Sequence, residues 1–196
     1  MVSIDYRIDL GEKSKIGKIS FIGDKIFKDN KLRSVLVSEE YKFWKFISGK
    51  KFLQEELIKL DKRLLKNFYL NKGYYNVEIN TSFAKLINKN EFELIFNINA
   101  NKKFYFGEMK VVLPEDFDEE NYKDLKKLLI ELKDEPYSLY SVDKILDEID
   151  LITTNEEFKS STAYTLQNIK SDKLDIDFVV EKSKTFFIER INILGN

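Results

Sequence analysis

IGKISFIGD, Ile16–Asp24, recurs in altered form as FGEMKVVLP at Phe106–Pro114 and IERINILGN at Ile188–Asn196. Apolar residues occupy the first and fourth positions of each copy: Ile16 and Ile19, Phe106 and Met109, Ile188 and Ile191. They return at the sixth and seventh: Phe21 and Ile22, Val111 and Val112, Ile193 and Leu194. Gly23 and Gly195 then break two of the three copies, as a strand entering a turn does. The stretch before each copy repeats as well. FELIFNINANKKFYF (Phe92–Phe106) lies over LDIDFVVEKSKTFFI (Leu174–Ile188) without a gap, matching Leu94, Phe96 and Ile98 to Ile176, Phe178 and Val180. VSIDYRIDLGEKSKI at the start of the chain fits the same frame through Ile4, Tyr6 and Ile8.

Internal repetition at a fixed period sets the fold before any local reading does. It predicts the last strand of one repeat at residues 1–14, complete repeats at 15–101 and 102–184, and the first strand of another at 185–196. Within the first complete repeat, IFKDNKLRSVLVS reads as a helix capped by Asp29 or Asn30, with Leu32, Val35 and Leu36 as its apolar stripe. A second helix, FLQEELIKLDKRLLKNFYLNKG, spaces Leu53, Leu57, Leu60, Leu64 and Phe68 by threes and fours, and Gly73 suits a left-handed C-cap. YNVEINTSFAKL and FELIFNI then read as a hairpin about INKNE. The second repeat follows suit. Its helices are EENYKDLKKLLIEL, with Tyr122, Leu125, Leu128, Leu129 and Leu132, and SLYSVDKILDEIDLITTN, with Leu139, Val142, Leu146, Ile149 and Ile152. Its hairpin is SSTAYTLQNI and KLDIDFVV, turning at Lys170-Ser171-Asp172.

The order is β-α-α-β-β. Three short strands are unstable alone in water, and two amphipathic helices laid on one face supply the missing core. The fold class is therefore α+β, in tandem modules, each a three-stranded mixed sheet covered on one face. The other face stays wet, consistent with Lys18, Ser20, Asp175 and Asp177 in the strands.

Composition narrows the chemistry. The chain has no cysteine and no histidine, so thiolate and imidazole metal sites and the nucleophilic triads are excluded. Nothing supplies an oxyanion hole or an activated nucleophile around carboxylate pairs such as Asp147/Glu148, so the chain reads as a non-enzyme without a cofactor. Acidic PEDFDEEN (Pro114–Asn121) reads as a turn and an acidic first helical turn, favoured by the helix dipole. No apolar run is long enough to span a bilayer. Residues 15–101 hold 17 Lys/Arg against 10 Asp/Glu, and residues 102–196 hold 14 against 21. The basic half leaves a nucleic-acid-binding module as an alternative, though no RNP strand, zinc knuckle or helix-turn-helix supports it.

The repeat order, the F-x-I-x-x-I-x-I-x-G-N opening at Phe186–Asn196 and a second helix ending in FYLNKGYY (Phe68–Tyr75) resemble POTRA (polypeptide-transport-associated) repeats, in particular those of BamA-type outer-membrane assembly factors. The aromatic YKFWKF loop resembles the second such repeat, which makes the two repeats the second and third. Glu157-Phe158 stands where the first repeat has Gly73-Tyr74, a departure from the pattern. The resemblance implies the periplasmic face of a Gram-negative outer membrane. The partners it implies are unfolded outer-membrane β-barrel proteins and accessory lipoproteins, with membrane contact only through a barrel beyond Asn196. A related transporter, of the two-partner secretion kind or a paralogous assembly factor, is the alternative within the fold.

In that family the first hairpin strand is the exposed edge. A bare edge pairs with extended chains through its main chain, largely blind to sequence. The resemblance thus marks Ser160, Ser161, Thr162, Ala163, Tyr164, Thr165, Leu166 and Gln167 as a client-binding edge, a stretch free of charge and proline. Val77, Ile79 and Thr81 mark a second edge, which carries Glu78. Tyr41, Phe43, Trp44 and Phe46 in the aromatic loop are the third candidate, either a greasy contact for a client or accessory protein or a clamp on the helices.

Overall fold

The computed structural model of the chain describes residues 14–42, 49–84, 90–155 and 161–182. The strands expected around Ile4–Ile8 and at 185–196 lie outside the described residues, as do Phe43, Trp44, Phe46 and Ser160. Two compact units emerge, one from the described residues of 1–70 and 74–102, the other from those of 71–73 and 103–196.

The first unit runs β1 (Lys15–Asp24), α1 (Asp29–Arg33), α2 (Glu55–Leu70), β2 (Glu78–Ala84) and β3 (Glu91–Asn99), with a short 3-10 turn at Gly49–Lys51. Its sheet is ordered β1-β3-β2; β3 is central, parallel to β1 and antiparallel to β2. Alternation decides the core: Leu94, Phe96 and Ile98 of β3 and Ile16, Ile19 and Phe21 of β1 are buried on one face. Phe21 stacks on Phe96 at 5.6 Å between ring centroids. Leu32, Ile58, Leu65 and Tyr69 close this face from the helices, each full burial contributing about 1.5–3 kcal/mol. On the other face Lys18 pairs with Glu93 at 3.0 Å, and the Ser20 hydroxyl also donates to Glu93.

The second unit repeats the plan with β4 (Tyr105–Val112), α3 (Lys123–Leu132), α4 (Leu139–Asn155), β5 (Ser161–Lys170) and β6 (Lys173–Lys182), ordered β4-β6-β5. Leu174, Ile176, Phe178 and Val180 of β6 meet Phe106, Tyr122, Leu125, Leu129, Val142, Ile145 and Ile149 in the core. The hairpin turn is Ser171-Asp172, with Ser171 in the left-handed region at φ 59°.

Several local expectations are corrected. The N-cap of α1 is Lys28, without a side-chain cap; Asp29 lies inside the helix and pairs with Lys25 instead. The buried face of α2 is Ile58, Asp61, Leu65 and Tyr69, so Leu57, Leu60, Leu64 and Phe68 form its half-buried flank. The centre of the true face is a carboxylate, which conceals it from a count of apolar residues. On α4 the buried positions are Val142, Ile145, Ile149 and Thr153, while Leu146 and Ile152 are half-buried. The Thr153 hydroxyl meets its hydrogen-bonding need inside the helix by donating to the Ile149 carbonyl at 3.0 Å. Gly73 does take φ +93°, and beyond it the Tyr74 N–H returns to the Tyr69 carbonyl at 3.1 Å.

Both N-terminal strands carry a register shift at the same place, between Ile16 and Lys18 in β1 and between Phe106 and Met109 in β4. Gly17 and Gly107 sit at these bulges. A Cβ on Gly107 would overlap the Asp175 carboxylate, and one on Gly17 would come within 3.3 Å of that of Glu91. The second position of the aligned copies was the signal for this feature.

Candidate functional site

Each three-stranded sheet has two edges, and the two differ. The outer edge of β1 is closed along most of its length. The Ser14 carbonyl accepts from Leu53 N–H at 2.9 Å, and that of Ile16 from Tyr41 N–H at 2.7 Å. Ile19 is held at both backbone groups: its N–H donates to Glu40 Oε1 at 3.0 Å, and its carbonyl accepts from Arg33 Nη2 at 2.9 Å. Arg33 and Glu40 are themselves 3.5 Å apart. Lys25 Nζ then covers the Phe21 carbonyl at 3.0 Å. On β4, the loop after α3 covers the start of the strand: Phe106 N–H donates to the Glu135 carbonyl at 2.9 Å, Asp134 N–H reaches the Phe106 carbonyl, and Tyr137 N–H reaches that of Phe104 just before the strand, both at 3.0 Å.

β2 and β5 are the opposite edges. Among the described residues, no backbone hydrogen bond from outside the hairpin reaches β2 between Glu78 and Phe83, or β5 between Ala163 and Leu166. The register sorts the candidate residues of β5. Ala163, Thr165 and Gln167 oppose Val180, Phe178 and Ile176, so they share the helix-covered face. Tyr164 opposes Val179 and Leu166 opposes Asp177, on the open face, where they are 38 % and 56 % exposed. Val112 of β4 also opposes Val179, so an apolar row, Val112–Val179–Tyr164, crosses the wet face and leads to this edge. The Tyr164 hydroxyl donates to Glu181 Oε1 at 2.6 Å, and this bond to a carboxylate raises its pKa above the ordinary phenol value.

On β2, Ile79 and Thr81 lie in the strand, opposite Ile98 and Phe96. Val77 precedes the strand and is 5 % exposed in the core, so it anchors the edge rather than presenting it. Phe83 is 51 % exposed at the far end. α2 runs beside this edge, and Lys62, Arg63, Lys66, Val77, Glu78, Ile79 and Asn80 line a shallow hollow between them. That basic rim is a feature the sequence reading did not single out. Its signal was the i, i+1, i+4 spacing of the three cations.

Tyr41 is half-buried at the β1 edge, with Lys15 Nζ 4.4 Å and Lys51 Nζ 5.5 Å from its ring centroid. The acidic segment is tied up locally: Asp118 accepts from Glu120 N–H at 3.0 Å, Glu120 pairs with Lys123 at 2.6 Å and Glu119 with Lys126 at 2.5 Å.

Comparison with known proteins follows the same lines. Residues 14–101 match the POTRA family, described as surface antigen variable number repeat. The outer membrane protein assembly factor BamA of Buchnera aphidicola is 26 % identical over 205 residues, covering 100 % of this chain and 32 % of the relative. That of Neisseria meningitidis serogroup B is 24 % identical over 198 residues, covering 100 % of this chain and 25 % of the relative. The chain thus spans between a quarter and a third of the length of these curated relatives. The crystal structure of Haemophilus influenzae BamA POTRA3-5 superposes with a TM-score of 0.67 at 16 % identity, covering 88 % of this chain and 68 % of that one. One repeat, residues 14–101, thus matches the POTRA family directly, and the second unit is built on the same β-α-α-β-β plan, the fold of the BamA POTRA domains.

Proposed function

We propose that the chain is the periplasmic receiving region of an outer-membrane β-barrel assembly factor, a scaffold rather than a catalyst. In this reading β2 and β5 take up extended segments of unfolded barrel proteins by β-augmentation, and accessory lipoproteins dock on the same region. The observation that carries it is the inequality of the edges. β1 is latched by side chains and loops along most of its length and β4 at its start, whereas β2 between Glu78 and Phe83 and β5 between Ala163 and Leu166 are left for an incoming strand. Main-chain pairing suits many clients, because barrel strands share only an alternating pattern. The likeness to assembly factors in two organisms supports the periplasmic side of the outer membrane as the place.

The test is photo-cross-linking of an alternating barrel-strand peptide to a probe at Leu166, in the parent chain and in Thr165→Pro. Proline removes one N–H and cannot continue the pairing. Cross-linking is expected to vanish while helical circular dichroism is kept. Cross-linking that persists in a folded Thr165→Pro chain rules out β5 as the receiving edge.

A further inference from the structure

The two open edges are flanked by helices of opposite charge. The buried positions Ile58, Asp61, Leu65 and Tyr69 of α2 correspond by helical register to Val142, Ile145, Ile149 and Thr153 of α4. The same register places Lys62, Arg63 and Lys66 of α2 against Leu146, Asp147 and Asp150 of α4. The three cations line the hollow along β2 together with a single carboxylate, Glu78. None of the three forms an ion pair among the described residues. A second shallow hollow continues the first through Lys66 and Glu78 to Asn101 and Lys102. An extended chain paired to β2 therefore lays alternate side chains along a cationic rim. By the same register, one paired to β5 meets Asp147 and Asp150, both exposed, where the cations stand beside β2.

We infer that the β2 groove selects extended segments rich in Asp and Glu, and that the flank of β5 disfavours them, so the two repeats sort client strands by charge. This rests on the strand-pairing reading above. Acidic peptide is favoured over nucleic acid because the rim runs along bare backbone, which a peptide can pair with and a nucleic acid cannot.

The test uses the whole chain with a benzoylphenylalanine probe at Asn80 or, separately, at Leu166. Three ten-residue peptides alternate Val with Glu, Gln or Lys. The Glu peptide is expected to half-saturate the Asn80 probe at roughly tenfold lower concentration than the Gln peptide, exposed ion pairs contributing about a factor of two to three each. Arg63→Gln removes one such factor. Lys62→Gln, Arg63→Gln and Lys66→Gln together bring the two peptides level, as does about 1 M salt. At Leu166 the order reverses, with the Lys peptide ahead of the Glu peptide. Equal linking of Glu and Gln peptides at Asn80 overturns the charge selection while leaving strand pairing intact. No linking of any peptide at either probe overturns the pairing and this inference with it. Displacement of the Glu peptide by micromolar oligothymidylate, without the reverse, overturns it in favour of a nucleic-acid groove.

Discussion

Asp61 Oδ1 accepts a hydrogen bond from the backbone N–H of Val37 at 2.6 Å, across the buried face of α2. Both carboxylate oxygens also lie 3.3 Å from the Ser38 nitrogen. Asp61 has no exposed surface, and Ser38 is 3 % exposed. The carboxylate thus ends the turn that follows α1 and fastens it to α2, doing for two orphan N–H groups what a longer helix would have done. Asp61→Ala leaves the buried Ser38 N–H and the half-buried Val37 N–H without an acceptor. Urea unfolding is expected to show a loss of about 2–4 kcal/mol. Asp61→Asn keeps one acceptor oxygen and is expected to lose about half as much.

The strands and the buried face of α3 were legible and that of α2 was not, for a reason these residues show. In a strand the side-chain period is two, so Leu94, Phe96 and Ile98 mark the covered face unambiguously, and their matches Ile176, Phe178 and Val180 confirm it. On α2 the apolar residues form two adjacent rows. Leu57, Leu60, Leu64 and Phe68 are all leucine or phenylalanine, while the row that is buried contains Asp61. Counting apolar residues selects the wrong row, because the long-range partners of Asp61 are invisible in one dimension. The latch of Arg33 and Glu40 on Ile19 is hidden for the same reason. The edge position of the hairpins followed from topology, but which edges are left bare depended on loops and side chains.

Gly107 and Asp175 are coupled across the β4 bulge. Asp175 Oδ1 accepts from Glu108 N–H at 2.8 Å while Oδ2 pairs with Lys170 at 2.5 Å, so the carboxylate cannot swing aside freely. A Cβ at residue 107 would overlap it and come within 3.1 Å of the Leu174 carbonyl oxygen. Gly107→Ala is expected to cost about 1–3 kcal/mol by denaturant unfolding. Gly17→Ala meets the end of the longer Glu91 side chain at 3.3 Å, and its cost is expected to stay below about 1 kcal/mol. Adding Asp175→Ala to Gly107→Ala is expected to cost less than the sum of the two, the mark of a direct clash.

Stability is expected to hold from about pH 5 to 9 and to fall on both sides. The Ser20 hydroxyl, with Lys18, holds Glu93 below the usual carboxylate range, and the Lys170 ammonium with the Glu108 N–H does so for Asp175. A depressed carboxyl pKa contributes stability that is complete above the ordinary value, near 4, and lost as pH falls through the folded value. On the alkaline side burial pushes the Tyr69 phenol up to about 12. That contribution is complete below about pH 10 and lost as pH rises through 12. Urea midpoints between pH 2 and 7 should decline in acid for the parent chain and more shallowly for Asp175→Asn. Absorbance at 295 nm should show an ionisation near pH 12 that Tyr69→Phe removes.

Exposed sheet edges invite pairing between copies, and β1 carries a device against it. Arg33 and Glu40 occupy both backbone groups of Ile19 and neutralise each other beside it. Arg33→Ala with Glu40→Ala bares the middle of the strand while removing one charge of each sign, so net charge is unchanged. Light scattering after size exclusion is expected to show a larger dimer fraction in the double variant than in the parent chain at the same concentration. Substituting Lys18 and Glu93 to Ala removes a comparable ion pair from the open face and leaves the edge latched. That variant is expected to match the parent chain at the same concentrations, which separates loss of the latch from a general loss of surface charge.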